Sequence, residues 1–175
     1  MKGLTIVLLV VLLAAAAAVP ALADGPVEGS ADFENDSMIV DCTEYGYGFE
    51  VWDLAQIHER WKDFYDKDGN WLRQEYHVRG VDHLYNKSYT DRFVEGSFHL
   101  NAHVTPGPEE NTYHVIRTGV DWNIQLPGYG AVYKQSGLNE LLFEWVGDDE
   151  FEFRAQFKRA GLDREDFEKI CEYLQ

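Results

Sequence analysis

The strongest constraint on this chain is a repeat of two. Phe151, Phe153, Ala155 and Phe157 alternate with Glu150, Glu152, Arg154, Gln156 and Lys158. In an extended strand successive side chains point to opposite faces, so this run predicts a strand with one dry face and one wet face. Phe98, Leu100, Ala102 and Val104 alternate with Ser97, His99, Asn101 and His103 in the same manner. Ile116, Thr118, Val120, Trp122 and Ile124 give a third inward stripe. Turn residues separate the runs: Asp66-Lys67-Asp68-Gly69-Asn70, Asn86-Lys87, Thr105-Pro106-Gly107-Pro108 and Gly147-Asp148-Asp149. Connections this short join antiparallel neighbours. Gly80, Gly96 and Gly119 fall inside strand patterns, where glycine marks the bulges and bends a curling sheet needs. The expected fold is mainly β, an antiparallel meander of about 7–8 strands closing into a barrel or a tight sandwich.

One α-helix is expected, at the C-terminus. Asp163 is placed to cap it, Leu162 and Phe167 have the spacing of a hydrophobic staple, and Asp166 falls at the third position. Phe167, Ile170, Cys171 and Leu174 then lie on one stripe that faces the sheet.

Ahead of the strand patterns stands a different signal. Lys2 is followed by a run from Leu4 to Val19 that is apolar except for Thr5, then by Pro20 and Ala21-Leu22-Ala23. A basic start, an apolar stretch and a small-x-small site in that order predict a cleaved signal peptide over residues 1–23 and hence a secreted protein. Residues 24–37 are rich in Gly, Asp, Glu, Ser and Asn and read as a flexible leader. Residues 38–175 form a single barrel-like domain, with no later apolar segment long enough to span a bilayer. Export also decides the fate of the two cysteines. In an oxidising compartment Cys42 and Cys171 are expected to form a disulfide.

Charge narrows the partners. The chain carries 15 basic and 31 acidic residues, a net of −16, so it lacks the basic footprint that nucleic acid or an anionic membrane surface requires. Aromatic residues reach 14%, too many for a disordered acidic tail.

Most motifs dissolve on inspection. Asp66 to Asn70 opens like a calcium-binding EF-hand loop, but the sixth and twelfth positions hold Trp71 and His77 instead of the required glycine and glutamate. His99 and His103 share a strand face but are separated by about 13 Å, too far to chelate one ion. No nucleophile elbow and no phosphate-binding glycine loop is present, so neither a metal nor a cofactor is called for. The sequons at Asn35 and Asn86 matter only in a glycosylating host. Two polar residues stand out. Asp82 shares parity with Tyr76, Val78, Gly80 and Leu84, and His114 shares parity with Ile116, Val120 and Trp122. A carboxylate and an imidazole facing an aromatic interior that includes Tyr76 and Trp122 are the candidates for ligand orientation or proton transfer.

The run Phe64-Tyr65-Asp66-Lys67-Asp68-Gly69-Asn70, the strand through His77-Val78-Arg79-Gly80, and Tyr89-Thr90-Asp91-Arg92-Phe93 follow one another between the two cysteines. With them the chain resembles small secreted, β-rich bacterial proteins of uncharacterised function, of the actinobacterial and Chloroflexi type. The resemblance covers most of the chain after residue 23. It implies export, a β-rich fold and a cysteine pair joining the two ends, and it brings no catalytic residues.

Three functional expectations follow. The first is a non-enzymatic secreted β-barrel binding a small apolar ligand or a cell-surface partner, motivated by the supply of tryptophan at 52, 61, 71, 122 and 145. The second is a cofactor-free barrel enzyme of the isomerase or cyclase type using Asp82 or His114. The third is a structural or adhesive surface protein. The oligomeric state is not legible.

Overall fold

The computed structural model describes residues 25–147 and 150–175, so the expected signal segment and the Asp148-Asp149 turn lie outside the described residues. Seven strands follow in chain order: β1 (Val27–Asp41), β2 (Glu50–Tyr65), β3 (Trp71–Asn86), β4 (Tyr89–Pro106), β5 (Thr112–Leu126), β6 (Gly130–Gly147) and β7 (Glu150–Glu165). A 3-10 turn, Cys42–Tyr45, follows β1, and a single α-helix, α1 (Phe167–Leu174), closes the chain. Every strand pairs antiparallel with the next, in the order β1 to β7. The fold is therefore mainly β, as the alternation requires. Among the described residues β1 and β7 do not pair, so the sheet is not closed.

An open sheet of this kind still buries its inner face. Ile57 of β2, Val78 of β3, Leu100 of β4, Val115 of β5 and Phe143 of β6 belong to one apolar cluster. In a flat sheet β2 and β6 would stand roughly 19 Å apart, at about 4.8 Å per strand. All five are buried although α1 packs at the other end, so the sheet must curl to cover its own inner face. Phe33 of β1 and Phe151 of β7 pack on the same cluster, which brings both edges toward it. A second cluster occupies the other end, where Val51, Leu84, Ile124 and Tyr133 meet Ile170 and Leu174 of α1.

Glycines permit the curl. Gly119, Gly137 and Gly161 stand side by side on β5, β6 and β7, all at positive φ (131°, 132° and 138°). A Cβ on Gly137 would run into the Ala160 carbonyl, and one on Gly161 into the Ser136 carbonyl. A crease therefore crosses three strands where their backbones come too close for any side chain.

The disulfide expected from the cysteine count is present: Cys42 and Cys171 are bonded, both fully buried, across a separation of 129 residues. It fastens the start of the sheet to α1. Ile170, Cys171 and Leu174 are fully buried, as their stripe requires. The helix start differs from expectation. Asp166 caps α1, its side chain accepting from the Lys169 amide at 3.4 Å, because residues 162–165 are still paired with β6.

Three other expectations are corrected. Residues 27–37, taken as leader, form most of β1. Apart from Phe33, the inner positions there, Gly29, Ala31, Asn35 and Ser37, are small or polar, so the strand lacks an apolar alternation, yet it is paired along β2 to Asp63. The inward stripe on β5 is split by a bulge between Val120 and Trp122. Trp122 and Ile124 face inward, but before the bulge the buried residue is Val115, which puts Ile116, Thr118 and Val120 on the outer face. On β7, bulges opposite Glu140/Leu141 and Leu142/Phe143 leave Phe153 facing inward with Phe143, while Phe157 turns outward against His114.

The disulfide closes a loop long enough to restrict the unfolded chain by about 4–5 kcal/mol in the chain-entropy account. Urea unfolding of C42S/C171S is expected to show a loss of that order. A loss under about 1 kcal/mol would mean that α1 is held by its apolar contacts alone.

Candidate functional site

Between the two apolar clusters the inner face changes character. On β2, Asp53 lies between Val51 of the helix-end cluster and Ala55 of the far cluster. On β3, Asp82 lies between Leu84 and Val78. On β5, β6 and β7 the inner positions around the glycine crease are Arg117, Gln135, Asn139 and Arg159. The result is a polar waist inside an otherwise apolar curl.

Its centre is a pair of acids. Asp53 pairs in register with Leu84, so Asp82 is its diagonal neighbour on the same face. Both are buried, at 2% and 1% exposure, and their carboxyl groups hydrogen-bond to each other. Burial disfavours the charged form of each, and the negative charge of one further disfavours ionisation of the other. The two steps of the pair are thus raised from the ordinary carboxylate range to about 7 and about 8. At neutral pH the pair retains a proton between its members. Asp53 Oδ1 and Asp82 Oδ2 have no hydrogen-bond partner within the protein.

Opposite polarity stands on β5. Arg117 is nearly buried and paired with Asp121 at 2.5 Å, but its Nε has no protein partner. Arg159 and Asp163 of β7 form another i,i+4 pair, this one exposed. Tyr133 of β6 is buried, and its hydroxyl ionises less readily than usual because of burial first, then Glu165, Asp163, Asp121 and Asp82. The phenol therefore stands among carboxylates from β3, β5 and β7.

The candidates from the sequence are dispersed. Asp82 faces inward as its parity required, and it meets Asp53, a residue the sequence did not single out. Tyr76 faces inward but belongs to the far cluster, whereas Trp122 packs at the helix end, stacked on Tyr133 at 4.9 Å. Tyr133 in turn contacts Phe167, so Trp122 helps seat α1. His114 stands on the outer face, its Nε2 2.9 Å from Glu140, and takes no part in the waist. The cause is the β5 bulge described above.

Tyr76 marks a second polar group at the far end. Glu59 and Asp63 of β2 face inward beside it, and their charges, with burial, hold the Tyr76 phenol protonated. The Trp71 indole donates to Asp63 at 2.9 Å. On the outer face a groove of about 500 Å³ is lined by Asp32, Glu34, Gln56, His58, Arg79 and Val81. Two of its polar contacts are internal, Gln56 to Glu34 and His58 to Asp32. Asn86 of the second sequon is buried, its amide donating to the Leu174 carbonyl, which leaves no room for a glycan.

No family model matches this chain, and no curated protein and no solved structure is significantly similar to it. The site therefore has to be read from its own chemistry. No helix among the described residues is long and apolar enough to cross a membrane.

The acid pair has a thermodynamic consequence. Its protons bind more tightly in the folded chain than in the unfolded one, where aspartate titrates near 3.9. Stability from this source is complete below that value and is lost as pH rises through about 7 and about 8. The melting temperature is expected to fall more steeply from pH 5 to pH 8 in the natural chain than in D53N/D82N. Parallel curves would show that the pair is not buried as described.

Substituting Asn86 tests a separate contact. N86A leaves the Leu174 carbonyl without its donor inside the core and is expected to cost about 1–3 kcal/mol, read by urea unfolding.

Proposed function

We propose that this is a secreted, non-enzymatic binding protein that takes a small molecule with an apolar body and one or two hydrogen-bonding groups inside the curled sheet. One observation carries the reading: Asp53 Oδ1 and Asp82 Oδ2 on the polar waist, and Arg117 Nε on β5, are buried without protein partners. An unsatisfied buried polar atom costs about 1–3 kcal/mol, so three of them inside the sheet favour a guest that supplies the missing partners. Apolar clusters on both sides of the waist suit the body of such a guest. Export is supported by the N-terminal sequence pattern and by the disulfide, which needs an oxidising compartment. It also accords with the resemblance to secreted β-rich proteins.

Titration with the neutral fluorophore N-phenyl-1-naphthylamine tests the reading. A saturable rise at one site per chain is expected, weakened about fivefold or more in R117L. A response that stays linear with concentration would remove the small-ligand reading. It would leave contact with a cell-surface partner, for which the exposed Phe157 and Leu162 of β7 offer apolar surface.

A second reading rests on the acid pair itself. Two carboxyls sharing a proton near neutrality are a general acid and a general base held side by side, with Asp82 the member named from the sequence. A bound compound recovered chemically unchanged after incubation supports binding alone. Conversion that disappears in D82N supports the enzyme.

A further inference from the structure

We propose that the inner corner formed by Glu59, Trp61 and Tyr76, at the end of the curl away from α1, binds an organic ammonium group. This site is separate from the waist and does not rest on it. Glu59 is 3% exposed, and its Oε1 has no hydrogen-bond partner in the protein. Burial is the one cause that raises its pKa, and no cation offsets it. The nearest basic residues along the strand are turned away: Lys62 reaches Glu28 on the outer face at 2.7 Å, and Arg60 lies beside His58. Asp63 adds a second inward carboxylate, partnered by the Trp71 indole on one oxygen. The corner thus holds two acids and no compensating positive charge.

Its walls are aromatic. The rings of Trp61 and Tyr76 stand 6.4 Å apart at an interplanar angle of 32°. Trp61 reaches across to β1, where Gly29 has no side chain, and a Cβ there would collide with the indole. Ala31, directly opposite Glu59 in the β1–β2 ladder, is also small. β1 thus sets only small residues beside Glu59 and Trp61, and the indole lies over Gly29. A buried carboxylate without a cation, flanked by indole and phenol rings, has the chemistry that recognises alkylated ammonium ions. The carboxylate supplies charge, and the ring faces attract a cation too large and too weakly hydrated for a tight ion pair. A metal ion is a poorer fit, because indole and phenol rings offer it no ligand oxygens or imidazole nitrogens.

Calorimetric titration with choline, with 3,3-dimethylbutan-1-ol as its neutral isostere, tests the proposal in the full chain. Choline is expected to bind saturably and to change tryptophan fluorescence, and the isostere to bind at least about tenfold more weakly. E59Q keeps the shape and removes the charge, so choline affinity is expected to fall about 10- to 100-fold. Retained near-ultraviolet circular dichroism checks that this variant folds. W61L, at the rim of the corner, gives an independent loss. Equal affinity for choline and its isostere in the natural chain overturns the proposal without any variant. So does a choline signal that survives E59Q and vanishes in D53N/D82N, which would assign the cation to the waist.

Discussion

The curl of the sheet is the constraint on which everything else depends. Seven long strands in one meander present an inner face far larger than an eight-residue helix can cover. Burial therefore requires the sheet to cover itself. A sheet that bends this far cannot keep a side chain at every inner position. The glycine row on β5, β6 and β7 removes Cβ atoms where the backbones crowd, and bulges on the same strands take up the mismatch in register. α1 and the disulfide close one end only. The other end is finished by aromatic side chains, with Trp71 against Tyr113 and Tyr113 against Phe151.

This geometry explains which parts of the fold were legible in the sequence. Phe98, Leu100, Ala102 and Val104 read correctly because the inner half of β4 runs without a shift against β3. The helix stripe was legible because its buried positions, Ile170, Cys171 and Leu174, follow the helical period. On β5 the same counting failed ahead of the bulge, and on β7 it failed beyond the first one. A single extra residue exchanges the two faces, and nothing in Gly119-Val120-Asp121-Trp122 announces it apart from the glycine. His114 was misplaced for that reason alone. β1 escaped notice because it is an edge whose inner side carries small and polar groups. Its place is held by ladder hydrogen bonds and by surface contacts such as Tyr85 to Asp36, which stabilise only modestly.

The candidate site was half legible. Parity along β3 put Asp82 inside, and it is inside. Its partner Asp53 was not identified, since the relation between them is a diagonal across two strands and depends on the β2–β3 register. Sequence counting along one strand cannot supply that register. Glu59 was hidden for a different reason: in Ile57-His58-Glu59-Arg60-Trp61 it sits among charged neighbours and looks like part of a wet face. The period of two puts Ile57, Glu59 and Trp61 on one side, and their burial identifies that side as the inner one.

Placing acids inside an acidic protein is costly, and the cost is informative. With a net charge of −16 the chain gains nothing from further negative charge in its interior. Apolar residues at positions 53, 59 and 82 would join the two clusters into one continuous core, and replacing buried ionisable groups in this way is often neutral or stabilising. The carboxylates lie instead on one inner surface, two at the waist and one in the aromatic corner, each with an oxygen unpaired by the protein. Surface solubility does not account for them, because they do not reach the surface. Folding does not account for them either, because each weakens the core it interrupts. On the proposed reading the inner face is completed by a guest, and the sign of its charge favours one that donates hydrogen bonds or carries positive charge.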